Sequence, residues 1–358
     1  MRSSKAIVLI EVICASALAL VTIVAIESTL RSKPVLQWLD LHRPPYIPRS
    51  GLVDIRVHVE KQMLHLEALA REPERRVSFV GSSSVVNGID EYDVKVALKA
   101  APKLQPRNLG LTGMLSSELS PLRSLLVSDG TVAVVYLYNG FSFSDVRNPD
   151  AIDARGSAID DLNHEPIAWW QIRRAARFGE RLLSERLWIR RYRNLIISYV
   201  ERILASDIEP LRSPFDYSVD RPPPPMSERT RVPRPPVSSE NWVRRAYIES
   251  SERDTTLGYS ALSSFCDDLK RNNVRLIISA APEALFGRTN PYAVGIDFDA
   301  IDARIEKISK QCGAYYIGRD KVFEDDDANF VDEVHLSAKG REKYSKAIGA
   351  KVDEVLGR

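Results

Sequence analysis

The sequence predicts an α/β protein built on a parallel sheet with helices on both faces. Two observations carry this reading. From residue 76 onward, short apolar runs alternate with amphipathic stretches, the pattern of strands joined by crossover helices. The runs at residues 132–138 and 274–280 are also nearly continuous in Val, Ile, Leu, Ala and Tyr rather than alternating, as expected of strands covered on both faces.

Each element follows in order. The run at residues 76–80 (Arg-Val-Ser-Phe-Val) ends in Gly81-Ser82-Ser83-Ser84 and leads into a helix. In a parallel sheet, ligands and catalytic groups collect at such carboxyl ends, although serine is equally a favoured helix cap. A second unit carries Asn108-Leu109-Gly110-Leu111-Thr112-Gly113, followed by an amphipathic segment over residues 116–128. The third strand, 132–138, ends at Asn139-Gly140, which is both a turn signal and a place for a projecting amide. The pattern resumes with a helix from about 257 to 270, the strand at 274–280, a helix at 297–311, a short strand at 314–317 and a terminal helix at 338–356.

Two regions lie outside this rhythm. Residues 6–26 form an apolar run after a short basic segment, containing one carboxylate, Glu11. About 20 such residues suffice to cross a bilayer. The expectation is a single-pass signal-anchor in the inner (cytoplasmic) membrane with the bulk of the chain exported, a cleaved signal peptide being the alternative. Residues 145–254 read as an insertion: Trp169 and Trp170 open an arginine-rich stretch, and proline clusters at 222–225 and 233–236 exclude regular helix there. Its arginines suit a solvated face or an anionic glycan or lipid. The chain thus divides into an anchor (1–30), a juxtamembrane linker and helix (31–75), a first part of the α/β domain (76–144), the insertion (145–254) and a second part (255–358).

The 44% hydrophobic and 27% charged composition is that of a globular protein. A net charge of +2 selects no acidic partner, and no nucleic-acid partner is expected. Cys14 falls in the apolar run, while Cys266 and Cys312 form a disulfide or sit buried as thiols. His58 and His65 could share a helix face, but without a third ligand they make no metal site. The acidic run Asp325-Asp326-Asp327 lacks the spacing of a calcium loop.

Of five histidines, His335 alone has a carboxylate at close, orienting spacing in a loop that ends at a glycine, in Asp332-Glu333-Val334-His335-Leu336-Ser337-Ala338-Lys339-Gly340. A histidine is the side chain best suited to move protons near neutral pH. Serine is a weak nucleophile that needs such a base, and an aspartate fixes the imidazole tautomer. The serine turn, the glycine loop, Asn139 and the Asp332 loop all fall along one edge of the sheet.

These four blocks, in this order, resemble the SGNH (GDSL-type) hydrolase superfamily, and in particular its membrane-anchored polysaccharide O-acetylesterases and O-acetyltransferases. The resemblance implies a three-layer, flavodoxin-like domain with Ser83 as nucleophile and Asp332 and His335 completing a triad. It implies oxyanion donors at Ser83, Gly113 and Asn139, and no cofactor or metal. Ser82 stands where the family has Asp, Ser84 is an alternative nucleophile, and Gly140 replaces the Asp that follows Asn. The function it implies is a serine esterase or O-acetyltransferase acting on acetyl groups of a cell-envelope or exported polysaccharide. A lipid-directed esterase or thioesterase and a non-catalytic glycan-binding or assembly protein are the alternatives.

Overall fold

The computed structural model describes residues 32–41, 74–111, 113–127, 130–146, 192–204, 237–238, 240–284, 290–323, 327–332 and 334–357, with single positions between residues 18 and 68. Five parallel strands form one sheet: β1 (Arg76–Gly81), β2 (Gln105–Asn108), β3 (Thr131–Tyr138), β4 (Arg275–Ala280) and β5 (Tyr315–Ile317). Their spatial order is β2-β1-β3-β4-β5, the flavodoxin-like order of a doubly wound fold. Register places Gly81 beside Leu137 and Tyr138 beside Ala280, so the first, third and fourth strands end at nearly one level.

The helices are α1 (Lys33–Leu41), α2 (Ser83–Gly88), α3 (Glu91–Ala97), α4 (Leu119–Leu126), α5 (Arg193–Leu204), α6 (Trp242–Glu252), α7 (Leu257–Arg271), α8 (Phe298–Cys312) and α9 (Ala338–Leu356). Alternation along the strands builds two cores, because successive side chains point to opposite faces. Val77, Phe79, Ala133, Val135, Leu137 and Ile277 pack under α2, α3 and α9, meeting Val85, Val94, Tyr344, Ile348 and Val352. Val134, Tyr136, Tyr138, Leu276 and Ile278 face the other way, toward Leu122, Leu262, Phe265, Ile301 and Ile305 of α4, α7 and α8. Each fully buried side chain of this size contributes roughly 1.5–3 kcal/mol.

Side-chain caps set the helix starts. Thr256, Asp297 and Ser337 accept backbone N–H groups at the first turns of α7, α8 and α9. Cys266 of α7 and Cys312 of α8 form a disulfide, both buried against the same face of the sheet. Of the two readings open to these cysteines, the structure takes the bridge.

Among the described residues, no helix is long and apolar enough to cross a membrane. Most of the 6–26 run lies outside them, as do Trp169, Trp170, the arginines up to Arg191 and both proline clusters. The expected helix bearing His58 and His65, within residues 31–75, is described only at isolated positions, where His65 is buried; His58 lies outside. Of the acidic run, Asp327 opens a short 3-10 turn, and the two preceding aspartates fall outside.

Candidate active site

The doubly wound order reverses at β1: from there the chain runs to β2 on one side and β3 on the other. The crevice outside the carboxyl ends of these two strands is where open α/β sheets place their ligands. Gly81 ends β1 there, and a Cβ on it would lie 2.3 Å from the carbonyl oxygen of Leu137 and 2.6 Å from Cγ2 of Val85. Only glycine lets the chain turn this close to β3. Ser82 then caps α2, and Ser83 becomes the first residue of the helix, half-buried, with its hydroxyl at the crevice.

The partner loop is built by its own backbone. Phe330 and Leu336 bridge antiparallel, the Val331 N–H donates to the His335 carbonyl at 2.9 Å, and the Ser337 N–H donates to the Asn329 carbonyl at 2.8 Å. Inside this loop, Asp332 Oδ1 accepts the N–H groups of Val334 (3.0 Å) and His335 (2.9 Å), a self-closing Asx arrangement. Gly340 lets α9 start against it, because a Cβ there would stand 2.0 Å from the Asn329 carbonyl oxygen.

The loop delivers His335 to the serine turn. His335 Nε2 lies 2.9 Å from Ser83 Oγ, and Nδ1 lies 2.8 Å from Asp332 Oδ2. A carboxylate only accepts, so it takes the Nδ1 hydrogen and leaves Nε2 as acceptor for the serine hydroxyl. Burial pushes the Asp332 carboxyl up, but the hydrogen bond and charge of His335 and the two backbone N–H groups outweigh it. The carboxyl is held below its ordinary value and stays ionised.

Three further positions were expected to donate to an oxyanion. The Ser83 backbone N–H, at the first position of α2, has no acceptor among the described residues. Gly113 lies in the turn after β2 with a left-handed φ of +67°, and its N–H is likewise unaccepted among the described residues. That loop is tied to the serine turn where the Leu111 N–H donates to the Gly81 carbonyl at 2.8 Å. Asn139 is placed differently. It is fully buried beneath the turn: its Oδ1 accepts from the Ser82 hydroxyl and lies 3.2 Å from Ser84 Oγ, while its Nδ2 lies 3.0 Å from Ser84 Oγ and 3.3 Å from Glu283 Oε1. Both ends of its amide are therefore engaged, and Ser84, the alternative nucleophile, is directed at Asn139.

Sequence reasoning overlooks two residues here. Asn108, buried, donates its Nδ2 to the carbonyls of Val85 (2.9 Å) and Ile89 (2.9 Å) and so closes the carboxyl end of the helix that bears Ser83. Its Oδ1 accepts the Gly110 N–H at 3.1 Å, which shapes the glycine loop. Glu283 is a buried acid just past β4, in contact with Asn139, Gly140 and Tyr247. The one sequence signal for it is a carboxylate after Pro282 at a strand end.

No protein-family model matches the sequence, and no curated protein matches it either. Among solved structures, that of a candidate acylhydrolase from Bacteroides fragilis aligns with 80% of this chain and 89% of its own, at 12% sequence identity and a TM-score of 0.37. Among the described residues no cluster of His, Cys, Asp or Glu could hold a metal ion.

Proposed function

We propose that the protein is a serine acyl-transfer enzyme of the SGNH type. The observation that carries the reading is the unbroken Ser83–His335–Asp332 hydrogen-bond chain, at 2.9 and 2.8 Å, in the crevice where the sheet order reverses. His335 Nε2 takes the proton of Ser83 Oγ as that oxygen attacks an ester carbonyl, and Asp332 stabilises the imidazolium that forms. The N–H groups of Ser83 and Gly113 are the donors suited to the carbonyl oxygen as it gains charge. One such donor is worth about 2.7–4 kcal/mol in comparable sites. When the tetrahedral adduct collapses, the C–O bond to the leaving alcohol breaks and His335 returns its proton to that alcohol. A water or a second hydroxyl, deprotonated by His335, then attacks the acyl-enzyme and releases Ser83.

The substrate we propose is an O-acyl, most simply O-acetyl, group on a cell-envelope or exported polysaccharide, with residues 6–26 as a membrane anchor and the catalytic part exported. The Cys266–Cys312 bridge supports the exported placement, since disulfides persist in oxidising compartments. Hydrolase and transferase differ only in which hydroxyl resolves the acyl-enzyme. A lipid-directed esterase is the second reading. It is favoured by Ile197, Val200 and Leu204, which are exposed on α5 at the spacing of one helix face.

Purified full-length protein incubated with p-nitrophenyl acetate is expected to release p-nitrophenol, and a fluorophosphonate is expected to label Ser83. No turnover together with no labelling overturns both enzyme readings. A preference for long acyl chains over acetate selects the lipid reading.

A further inference from the structure

Glu283 takes no part in the acyl transfer just described, yet it is one of the most enclosed carboxylates of the fold. Its Oε1 accepts the Gly140 N–H at 2.9 Å and the Asn139 Nδ2 at 3.3 Å. Its Oε2 accepts the Tyr247 hydroxyl at 3.1 Å, and that hydroxyl accepts from Asn290 Nδ2 at 3.3 Å. The charge of Arg319, itself paired with Asp302 at 3.0 Å, faces the group from beyond β5. Burial holds the Glu283 carboxyl above its ordinary value, although Arg319 and the Gly140, Asn139 and Tyr247 hydrogen bonds oppose that push.

What these contacts decide is the direction of an amide. A carboxamide is nearly symmetric in shape, with an acceptor at one end and two donors at the other. Ser82 and Ser84, which meet Asn139 on the nucleophile side, carry hydroxyls that can donate to Oδ1 or accept from Nδ2. They are compatible with either orientation. Glu283 Oε1 is not, because it already accepts the Gly140 N–H and so faces Asn139 as an acceptor. Facing Glu283, Asn139 must turn its Nδ2 toward the acid and its Oδ1 toward the Ser82 hydroxyl.

We propose that Glu283 is a positioning residue: it fixes the orientation of the Asn139 amide and thereby the hydroxyl contacts that hold the Ser82–Ser84 turn under the nucleophile. Its second contact, at Gly140, pins the backbone that carries Asn139. Gly140 itself is confined by Tyr247 and Phe298, whose ring carbons would lie 2.6 Å from any Cβ placed there. A carboxylate beside Asn139 therefore cannot come from residue 140, and β4 supplies it from the neighbouring strand end. The effect on rate rests on the acyl-transfer reading; the orientation of the amide does not.

The test is the isosteric Glu283→Gln, whose amide can present either a donor or an acceptor to Asn139. In ¹⁵N-labelled full-length protein, the Asn139 side-chain NH₂ signal is identified by its loss in Asn139→Asp. It is expected to shift in Glu283→Gln, with kcat for p-nitrophenyl acetate falling about 10²-fold, the scale of a small misplacement at a reacting centre, and KM nearly unchanged, the sign of a transition-state effect. Glu283→Asp, which keeps an acceptor, is expected to restore part of kcat and serves for the spectrum if the Gln variant does not fold. An Asn139 signal that stays in place in a folded Gln variant overturns the proposal, and so does a wild-type kcat. A shifted signal in a protein whose wild type neither turns over ester nor labels with fluorophosphonate sustains the amide orientation and sinks the acyl-transfer reading.

Discussion

Ser83 Oγ and His335 Nε2 stand 2.9 Å apart although 252 positions separate them in the chain. Neither residue reaches the other through its own element alone. Gly81 turns Ser83 out of the sheet at β1, and the Asp332 loop swings His335 back across the same crevice from beyond β5.

Removing either member is expected to stop turnover. Ser83→Ala and His335→Ala should each lower kcat by at least about 10⁴-fold while leaving the thermal unfolding midpoint close to wild type, since triad members act as a unit. Asp332→Asn should cost about 10⁴-fold by admitting the wrong imidazole tautomer. Ser84→Ala should retain turnover. If Ser84→Ala is dead and Ser83→Ala is active, the nucleophile is Ser84.

Asp332 also makes stability depend on pH. Its native carboxyl is held below the unfolded value of 3.8, first against burial and then by His335 and two backbone N–H groups. Stability from this group is therefore fully present above the unfolded value and is lost as pH falls through the lower native one. The gap in urea midpoint between wild type and Asp332→Asn should be full at about pH 6 and close progressively under acid conditions. A gap that widens as pH falls contradicts this sign.

Asn108 joins stability to the placement of Ser83. Asn108→Ala strips the side-chain donor from the buried carbonyl of Ile89 and one of the two donors from that of Val85, at a cost of about 1–3 kcal/mol for an unsatisfied group. Because that helix begins at Ser83, turnover should fall together with the unfolding midpoint. A drop in midpoint with unchanged kcat would show that the carboxyl end of α2 does not influence its amino end.

The bridge between α7 and α8 joins cysteines 46 positions apart. By the chain-entropy estimate, its loss costs roughly 4 kcal/mol. Cys266→Ser/Cys312→Ser, or the reduced wild type, should unfold at markedly lower urea concentration, whereas the triad geometry, carried by other elements, should remain. Loss of fluorophosphonate labelling in the folded double variant would contradict that separation.

How much of this was legible follows from where the information sits. β3 and β4 are readable because both of their faces are buried, so the apolar runs are nearly unbroken. β2 is not, since Gln105-Pro106-Arg107-Asn108 has no apolar run and carries a proline that sheets tolerate mainly at an edge strand. Asp332 and His335 are visible as a pair because an Asx loop sets their spacing locally. Glu283 leaves no such trace: Tyr247 and Asn139, its partners, lie 36 and 144 positions away, and no periodicity links them. Asn139 shows the same limit from the other side. Its place at a strand end is readable, but the occupation of both ends of its amide depends on contacts that only folding creates.

The chain leaves the sheet at Tyr138 and re-enters it at Arg275, yet β3 and β4 lie side by side in register. Between them, α7 begins beside that exit, where the Leu257 N–H donates to Asp145 Oδ1 at 2.7 Å and the Thr256 hydroxyl donates to the Phe143 carbonyl, and the chain then runs back to Arg275 at the opposite edge of the sheet. The nucleophile turn precedes this excursion and the His335 loop follows it. Ser83, Asp332 and His335 thus sit on chain outside residues 145–254, while that segment is rooted beside the strand end that carries Asn139 and reaches the buried side of the serine turn through the Tyr247 hydroxyl on Glu283.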